Sequence, residues 1–380
     1  MPINLSKSDL FCPAPWVNLH ISTDGEFKPC CGGNGSFGSV HDEKWEYITT
    51  NNAKLNTLKK DLLSNTENSY CNKNCLERNW YKEFLNKDII IKDETDFQLK
   101  SIDVRWGNTC QLSCTYCGPH NSSSWSNIIS KFTNEPPVSS RNYKTKLNGL
   151  MEFFEKNKES IIRINLVGGE PLLLKENVEL LDVIPSNARV EIITNLGVDL
   201  RSNNIYKKLL SKQVSWHVSM ENVGQRFEFV RRGASWETQV ANLHILENDI
   251  KGSKSNINFH SLYHTYSALN LVEMFEFADQ FENIGLDWFP LLYRPLELNF
   301  FNYPRQFKDM AIKEIDTCAE KFPHRTNSIS QLQQFKDQLQ SGTEDPDVVQ
   351  KCIEFHRMQG LRFFNSQPDF LDLWPQYNLG

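Results

Sequence analysis

Three cysteines near the end of the first third of the chain have the spacing of ligands for one metal centre. Cys110, Cys114 and Cys117 follow the strand-like run Ile102 to Trp106, so one short loop can turn their thiolates toward a single point. Thiolates suit iron–sulfur clusters, which take four protein ligands, so three cysteines would leave one iron open. Structural zinc is the alternative; it would need a fourth ligand, for which His120 is the nearest candidate.

A second stretch that could do chemistry reads Gly168-Gly169-Glu170-Pro171, directly after the strand-like run Ile161 to Leu166. Together with the Cys-x3-Cys-x2-Cys loop, it resembles the radical S-adenosylmethionine (SAM) enzymes, in which this segment borders the amino group of SAM. The resemblance implies a [4Fe–4S] cluster on the three cysteines, with SAM on its fourth iron. It also implies reductive cleavage of SAM to methionine and a 5'-deoxyadenosyl radical, which abstracts a hydrogen atom from a substrate.

Further SAM contacts are implied by the same resemblance. Tyr116 would shelter the adenine, and Asn195 belongs to a segment similar to the family's Thr-Asn-Gly. Ser219 would lie near the ribose and carboxylate, the alternative being a buried hydroxyl bonded to backbone. One of Arg231 and Arg232 would pair with the SAM carboxylate through its planar guanidinium, the alternative being a solvated helix end.

The N-terminal region holds a second group of cysteines. The alternating run Trp16 to Ser22, followed by Thr23-Asp24-Gly25, predicts a hairpin that brings Cys12 and Cys30 side by side. Cys71 and Cys75, at the start of a polar helix, would complete a four-thiolate site. The adjacent Cys31 could replace Cys30, and zinc could replace iron on the same sulfurs.

The spacing of Cys12, Gly25 and Cys30 resembles the auxiliary-cluster modules called SPASM and twitch domains. This resemblance implies an auxiliary [4Fe–4S] cluster. Here the module precedes the catalytic barrel, whereas in the best-known members it follows the barrel.

Strand-like and helix-like runs alternate from about residue 98 onward, which predicts parallel βαβ units and an α/β fold. Six strands fall short of the eight of a closed barrel. They are Ile102–Trp106, Ile161–Val167, Val190–Thr194, Val214–Ser219, Ile257–Tyr263 and Leu286–Leu292. The resemblance implies a partial (β/α)6 barrel. We therefore divide the chain into a cysteine-rich hairpin and helix module (1–97), the barrel (98–300) and a C-terminal helical segment (301–380).

Candidate substrate contacts lie on or beyond the last two predicted strands: His260, Tyr263, His264, Asp287 and Tyr293. Alternation places His260 and Tyr263 on opposite faces of their strand. The pattern does not tell which face lines the barrel, and a buried structural role is the alternative for each residue.

The composition and net charge of the chain restrict the binding partners and the cellular compartment that we expect for it. A net charge of −6 and a pI near 5.9 give no general attraction to nucleic acid. No apolar signal-peptide segment occurs in Met1 to Phe11, and no run of about 18 apolar residues occurs elsewhere, so we expect a cytoplasmic protein without a membrane partner. Ten cysteines in such a chain indicate metal or redox chemistry before disulfides. Cys318 and Cys352 lie in helical settings and receive no ligand role.

The sequence thus predicts a radical SAM oxidoreductase or transformase with an auxiliary cluster. A peptide or protein side chain is the first substrate class; dehydrogenation or rearrangement of a small sugar-like metabolite is the alternative. An electron donor such as flavodoxin or ferredoxin would be a partner. The rival from another class, a non-catalytic iron–sulfur electron carrier, would need neither Gly-Gly-Glu-Pro nor six βα units.

Overall fold

The computed structural model describes residues 10–39, 44–71, 75, 78, 81–82, 91–137, 148–291, 294–364 and 368–378. Tyr293 lies outside these residues. The chain divides into two compact units. The first comprises Met1–Thr109, Val138–Ile192 and Arg201–Val214; the second comprises Cys110–Pro137, Ile193–Leu200 and Ser215–Gly380.

Strands alternate with helices through most of the chain. The strands are β1 (Asn18–Ile21), β2 (Glu26–Lys28), β3 (Gly38–Ser39), β4 (Ser101–Val104), β5 (Arg163–Leu166), β6 (Arg189–Thr194), β7 (Val214–Ser219), β8 (Asn256–Tyr263) and β9 (Ile284–Pro290). The helices are α1 (Ala14–Val17), α2 (Trp45–Asn51), α3 (Ala53–Leu63), α4 (Ser123–Thr133), α5 (Asn148–Asn157), α6 (Glu176–Val183), α7 (Asn204–Leu209), α8 (Gly224–Val230), α9 (Trp236–Ile250), α10 (Leu271–Ala278), α11 (Arg305–Lys321), α12 (Thr326–Ser341), α13 (Val348–Phe363) and α14 (Phe370–Leu373). The predicted α/β fold class is confirmed, with all six predicted strands present as β4 to β9.

The predicted N-terminal hairpin is confirmed, because β1 and β2 pair antiparallel. Gly25 makes the turn with a φ of 79°, a conformation that glycine adopts without steric cost. The strand begins at Asn18 rather than Trp16, since Pro15 favours the first turn of α1. β1 also pairs in parallel with β4, with Asn18 opposite Ser101. The hairpin therefore extends the sheet of the first unit, which the sequence pattern did not predict.

The two faces of the first unit's sheet differ in chemistry. Leu19, Ile102 and Ile164 are fully buried on one face. The other face carries buried polar side chains, among them His20 and Asp103, whose Nδ1 and Oδ2 atoms lie 3.1 Å apart. Burial of a carboxyl group is tolerated when a polar partner lies this close.

In the second unit, the parallel strands β7, β8 and β9 place Ser219, His260 and Asp287 in one row. The structure decides which face each side chain takes. Tyr263 is fully buried, with its ring centroid 5.0 Å from that of Phe335 on α12. His260 is half-buried on the opposite face, where its ring lies 4.2 Å from that of Phe289.

The C-terminal helices α11 to α13 confirm the predicted helical segment and complete the second unit. The chain then returns to the loop that follows β8. Trp374 Nε1 donates to the Tyr266 carbonyl at 3.0 Å, and Tyr377 OH donates to the Thr265 carbonyl at 2.7 Å. Both aromatic rings are fully buried, so this contact adds to the apolar core. No helix within the described parts of the chain combines the length and apolarity needed to cross a membrane.

His356 on α13 makes the stability of the protein depend on pH. The Tyr266 hydroxyl lies 2.7 Å from His356 Nε2, and burial, with a smaller effect of Arg232, lowers the pKa of the imidazole to about 3. His356 must therefore take up a proton on unfolding below its unfolded pKa of about 6.5. The free energy of unfolding therefore keeps the full contribution of His356 above that pH and decreases as the pH falls. We expect it to be about 1.4 kcal/mol lower at pH 5.5 than at pH 7.5.

Urea unfolding of the parent protein and of His356→Gln at these two pH values tests this expectation. Glutamine keeps an acceptor for Tyr266 but takes up no proton, so the pH dependence should shrink by that amount. His120→Gln is the control, because its side chain is exposed and stays hydrated on folding. Equal pH dependence in the parent and His356→Gln would contradict the prediction.

Candidate functional site

The loop from Cys110 to Cys117, called the cluster loop below, places its three thiols together in the second unit. Cys110 and Cys114 are buried and Cys117 is half-buried. Burial raises the pKa of Cys114 to about 12, and the negative charges of Cys117 and Cys110 would add to this effect. The three sulfurs are thus close enough to affect one another's protonation, as ligands of one centre must be.

Backbone and side-chain hydrogen bonds hold this loop from both sides. Ser113 N–H donates to the Arg232 carbonyl and Thr115 N–H to the Val230 carbonyl, both at 2.9 Å. From the start of α4, Ser122 Oγ donates to the Leu112 carbonyl at 2.6 Å and Trp125 Nε1 donates to the Cys114 carbonyl at 2.8 Å. These hydrogen bonds therefore attach the loop both to the start of α4 and to the segment that follows α8.

A buried charged network lies directly against the loop. Arg231 forms a two-pronged pair with Glu221, with Nε to Oε2 at 2.9 Å and Nη2 to Oε1 at 2.6 Å. Tyr116 OH donates to the same Oε1 at 3.0 Å, and Arg231 Nη1 lies 4.0 Å from Cys114 Sγ. The structure thus brings Tyr116 and Arg231 together beside Cys114, through their shared partner Glu221.

Arg232 points to a different environment from its neighbour Arg231. Its Nη1 donates to Gln359 Oε1 on α13 at 2.6 Å, and its guanidinium carbon lies 4.4 Å from the centroid of the Phe364 ring. Among the described residues, no contact joins the Arg232 side chain to Tyr116. The two arginines that the sequence could not distinguish are therefore separated by the structure.

Asn195 directly follows β6, and Ser219 is the last residue of β7. Asn195 Nδ2 lies 3.7 Å from Cys110 Sγ, and its Oδ1 accepts from Gln111 Nε2 at 3.0 Å and from Gly197 N–H at 2.8 Å. Ser219 is half-buried at the end of β7, in register with His260. Asn195 is thus tied to the first cysteine of the loop.

Sequence reasoning missed two residues of this site. Gln111 bridges the cluster loop to Asn195, and His217 lies on β7 with its ring centroid 6.0 Å from that of His260. Strand alternation was the available signal for His217, because it shares the face of Ser219 two residues later. No sequence signal pointed to Gln111.

The Gly-Gly-Glu-Pro segment lies in the first unit, packed against the residues that precede Cys110. Gly169 N–H donates to the Gly107 carbonyl at 3.1 Å and Glu170 N–H to the Thr109 carbonyl at 2.8 Å. Glu170 is fully buried, and its Oε1 accepts from Leu172 N–H at 3.0 Å. The segment therefore braces the backbone that leads into the cluster loop.

Gly169→Ala tests how closely this backbone must pack. A Cβ at position 169 would lie 2.3 Å from the Thr109 carbonyl oxygen and 2.7 Å from the Asn108 carbonyl carbon, so the backbone would have to move. We expect about 1–3 kcal/mol of destabilisation in urea unfolding. We also expect a loss of bound iron, since Thr109 directly precedes Cys110. Gly118→Ala is the matched control, because its Cβ would meet nothing within 4 Å. Equal iron content in the two variants would contradict the expectation.

The four N-terminal cysteines Cys12, Cys30, Cys71 and Cys75 are brought together in the first unit. Burial, followed by the nearby sulfurs of Cys30, Cys71 and Cys75, raises the pKa of the Cys12 thiol. Burial, followed by Cys71 and Cys75, raises the pKa of Cys30 to about 11. Cys31 is exposed. The Tyr70 hydroxyl donates to the Cys30 carbonyl at 3.3 Å, which joins the hairpin to the segment before Cys71.

Both groups of thiols fit a multi-iron centre by their chemistry. All of the candidate donors are sulfur, the ligand that iron–sulfur clusters use. Within the described residues, no three His, Cys, Asp or Glu side chains close round one metal ion.

Two family models match the chain. The Radical SAM superfamily model matches residues 104–278, and the SPASM iron–sulfur cluster-binding domain model matches residues 12–76. Molybdenum cofactor biosynthesis protein 1 of Homo sapiens is 25% identical over 222 residues, which cover 56% of this chain and 31% of that protein. This chain therefore spans about a third of the length of that curated relative.

Solved structures similar to this chain include those of anSMEcpe and SuiB. Native anSMEcpe with bound AdoMet is 15% identical, with a TM-score of 0.43 over 59% of this chain and 61% of that chain. SuiB of Streptococcus suis bound to the precursor peptide SuiA is 10% identical, with a TM-score of 0.39 over 80% of this chain and 68% of that chain.

The matched domains confirm the predicted cofactors. A radical SAM domain with a SPASM domain implies three cofactors: SAM, the [4Fe–4S] cluster that binds SAM, and auxiliary [4Fe–4S] clusters. Both groups of cysteines lie within the matched ranges. The chain carries a radical SAM domain and, N-terminal to it, a SPASM iron–sulfur cluster-binding domain.

Proposed function

We propose that this chain is an enzyme that cleaves SAM reductively and abstracts a hydrogen atom from a peptide or protein side chain. The observation that carries the proposal is the buried loop that gathers Cys110, Cys114 and Cys117 beside the Arg231–Glu221 pair. When bound, the cluster and SAM supply the one-electron chemistry that generates a 5'-deoxyadenosyl radical. The protein supplies binding, orientation and electrostatics.

The three thiols of the loop hold the cluster in this proposal. Because burial raises the pKa of Cys114 to about 12, cluster binding must release its proton. Arg231, 4.0 Å from Cys114 Sγ, offsets the negative charge of the thiolate. Hydrogen bonds to cluster sulfurs are one means by which proteins set reduction potential.

We assign the SAM contacts to residues that surround the same loop. Arg231 is the better candidate for the SAM carboxylate, since it shares Glu221 with Tyr116, the candidate adenine contact. Glu221 would orient both side chains. Asn195 and Ser219 end neighbouring elements of the second unit, and Gly168 to Pro171 are assigned to the amino group by resemblance.

The auxiliary cluster is assigned to Cys12, Cys30, Cys71 and Cys75. Cys30 is favoured over Cys31 because Cys30 is buried and is electrostatically coupled to the other three thiols, whereas Cys31 is exposed. The auxiliary cluster could accept an electron from the product radical, anchor a substrate group or relay electrons.

Alanine at position 30 should remove the auxiliary cluster, whereas alanine at position 31 should not. We expect Cys30→Ala to lose about four iron atoms and four sulfides per chain and Cys31→Ala to keep the parent content. Iron, sulfide and zinc are measured after anaerobic reconstitution. Zinc without sulfide on the N-terminal thiols would contradict the iron assignment, and iron loss in Cys31→Ala alone would reverse the ligand choice.

Formation of 5'-deoxyadenosine tests the proposed reaction. The reconstituted protein is incubated anaerobically with SAM and dithionite, and the product is quantified by mass spectrometry. We expect product that depends on both dithionite and the cluster. A fully reconstituted protein that forms none, with or without a cell extract as substrate source, would overturn the enzyme assignment and favour the electron carrier.

Deuterium transfer distinguishes the substrate classes. A deuterium-labelled cell extract is separated into a peptide fraction and a low-mass metabolite fraction, and each is added to the reaction. Hydrogen abstraction from a labelled carbon adds one deuterium to 5'-deoxyadenosine. The proposal expects the one-mass-unit shift with the peptide fraction; a shift with the metabolite fraction alone would replace the peptide by a small metabolite.

A further inference from the structure

A cavity of about 800 Å³ in the second unit adjoins the site described above and has been given no ligand so far. It lies beside Gln111 and Ser113 of the cluster loop, between α8 and the end of α13. Its lining includes Gln111, Ser113, Phe229, Arg232, Phe363 and Phe364. The volume is within the range of small-ligand sites.

The polar feature of this cavity is the guanidinium of Arg232. Arg232 is 4% exposed, and its Nε and Nη2 atoms are buried without a hydrogen-bond partner. Its Nη1 is satisfied by Gln359. No carboxylate forms an ion pair with Arg232 among the residues described, and burial lowers its pKa to about 10. A buried charge without a counter-ion is costly, so an anion that reaches the two free N–H groups would be bound favourably.

Three phenylalanines form part of the cavity wall: Phe229, Phe363 and Phe364. The Arg232 guanidinium lies 4.4 Å from the ring centroid of Phe364 and 5.8 Å from that of Phe229, and these contacts hold its plane in place. Glu228 also lines the cavity, but its Oε1 already accepts from Trp236 N–H at the start of α9, at 2.7 Å. A ligand for this cavity would therefore combine one anionic group with an apolar or aromatic body.

We propose that this cavity binds a carboxylate carried on an aromatic or branched apolar body, at a site separate from that of SAM. The planar guanidinium presents two N–H groups, which match the two oxygens of a carboxylate. The ligand is a free aromatic acid or the carboxylate end of a peptide. The carbonyl of Arg232 accepts from Ser113 N–H in the cluster loop, so the occupied site adjoins the loop directly.

Titration of the reconstituted protein with 3-(4-fluorophenyl)propionate, followed by 19F NMR, tests this site. We expect saturable binding of the acid and at least about tenfold weaker binding of the corresponding neutral amide, because a charge-assisted bond is lost. Arg232→Met should remove the preference for the acid. Arg362→Gln, an exposed residue in the last turn of α13, is the control and should bind as the parent does.

Another variant, a pair of peptides and competition by SAM provide further tests of the proposed site. Arg232→Lys keeps the charge but loses the planar pair of donors, so it should bind the acid with intermediate affinity if Arg232→Met does not fold. A peptide ending in phenylalanine is compared with its amidated form; a preference for the free carboxylate identifies a peptide end, and binding of the small acid alone identifies a free acid. Equal binding of acid and amide, the absence of saturable binding, or full displacement of the probe by SAM would overturn the proposal. The assay needs no SAM cleavage, so it is independent of the proposed reaction.

Discussion

Cys114→Ala should reduce 5'-deoxyadenosine formation to background, at least about a thousandfold below the parent, because reductive SAM cleavage is the cofactor's chemistry and needs the intact cluster. Cys114 is the central thiol of the loop, and its sulfur lies 4.0 Å from Arg231. We also expect the iron content to fall from about eight to about four atoms per chain, since the auxiliary cysteines remain. Both quantities are measured on the same anaerobic preparation.

Cys318→Ala is the matched control for this loss. Cys318 is fully buried in α11, and we assign it no ligand role. Its replacement deletes the same sulfur atom from an apolar setting, so we expect the parent's iron content and product yield. Product formation by Cys114→Ala at the parent's level would refute the assignment of the catalytic cluster to this loop.

Arg231→Met should destabilise the protein by about 3–5 kcal/mol, because it would leave Glu221 buried and charged without its partner. The side chains of Arg231 and Glu221 are only 5% and 1% exposed, so solvent cannot replace the lost pairing. The expected measurement is a lower midpoint of urea unfolding with an unchanged slope. The same substitution should weaken SAM binding if Arg231 holds the SAM carboxylate.

Two further variants show whether the stability lost in Arg231→Met comes from the unpaired charge of Glu221 or only from the removal of the arginine side chain. Arg231→Met combined with Glu221→Leu should recover most of the lost stability, since replacing both partners of a buried pair by apolar groups removes the unpaired charge. Arg305→Met breaks a pair with Asp309 whose side chains are 46% and 57% exposed, and it should cost less than about 1 kcal/mol. Equal losses in Arg231→Met and Arg305→Met would refute the role given to burial.

Much of the architecture was predictable because local patterns encode it. The six strands β4 to β9 were visible as apolar or alternating runs, and the hairpin was visible from Asp24-Gly25 between two such runs. The parallel pairing of β1 with β4 was not predictable, since it joins residues about 80 positions apart and depends on the packing of the whole sheet.

The sequence by itself determined the chemistry of this protein: two groups of cysteines, the Gly-Gly-Glu-Pro segment and the order of the βα units. These follow from residue type and spacing along the chain. The tertiary structure alone decided the choices between adjacent or alternating residues. It buried Cys30 and exposed Cys31, it paired Arg231 with Glu221 while leaving two N–H groups of Arg232 free, and it placed His260 on the half-exposed face and Tyr263 in the core. Neighbours in sequence can meet different surroundings because backbone direction and long-range packing, which spacing does not record, decide where each side chain points.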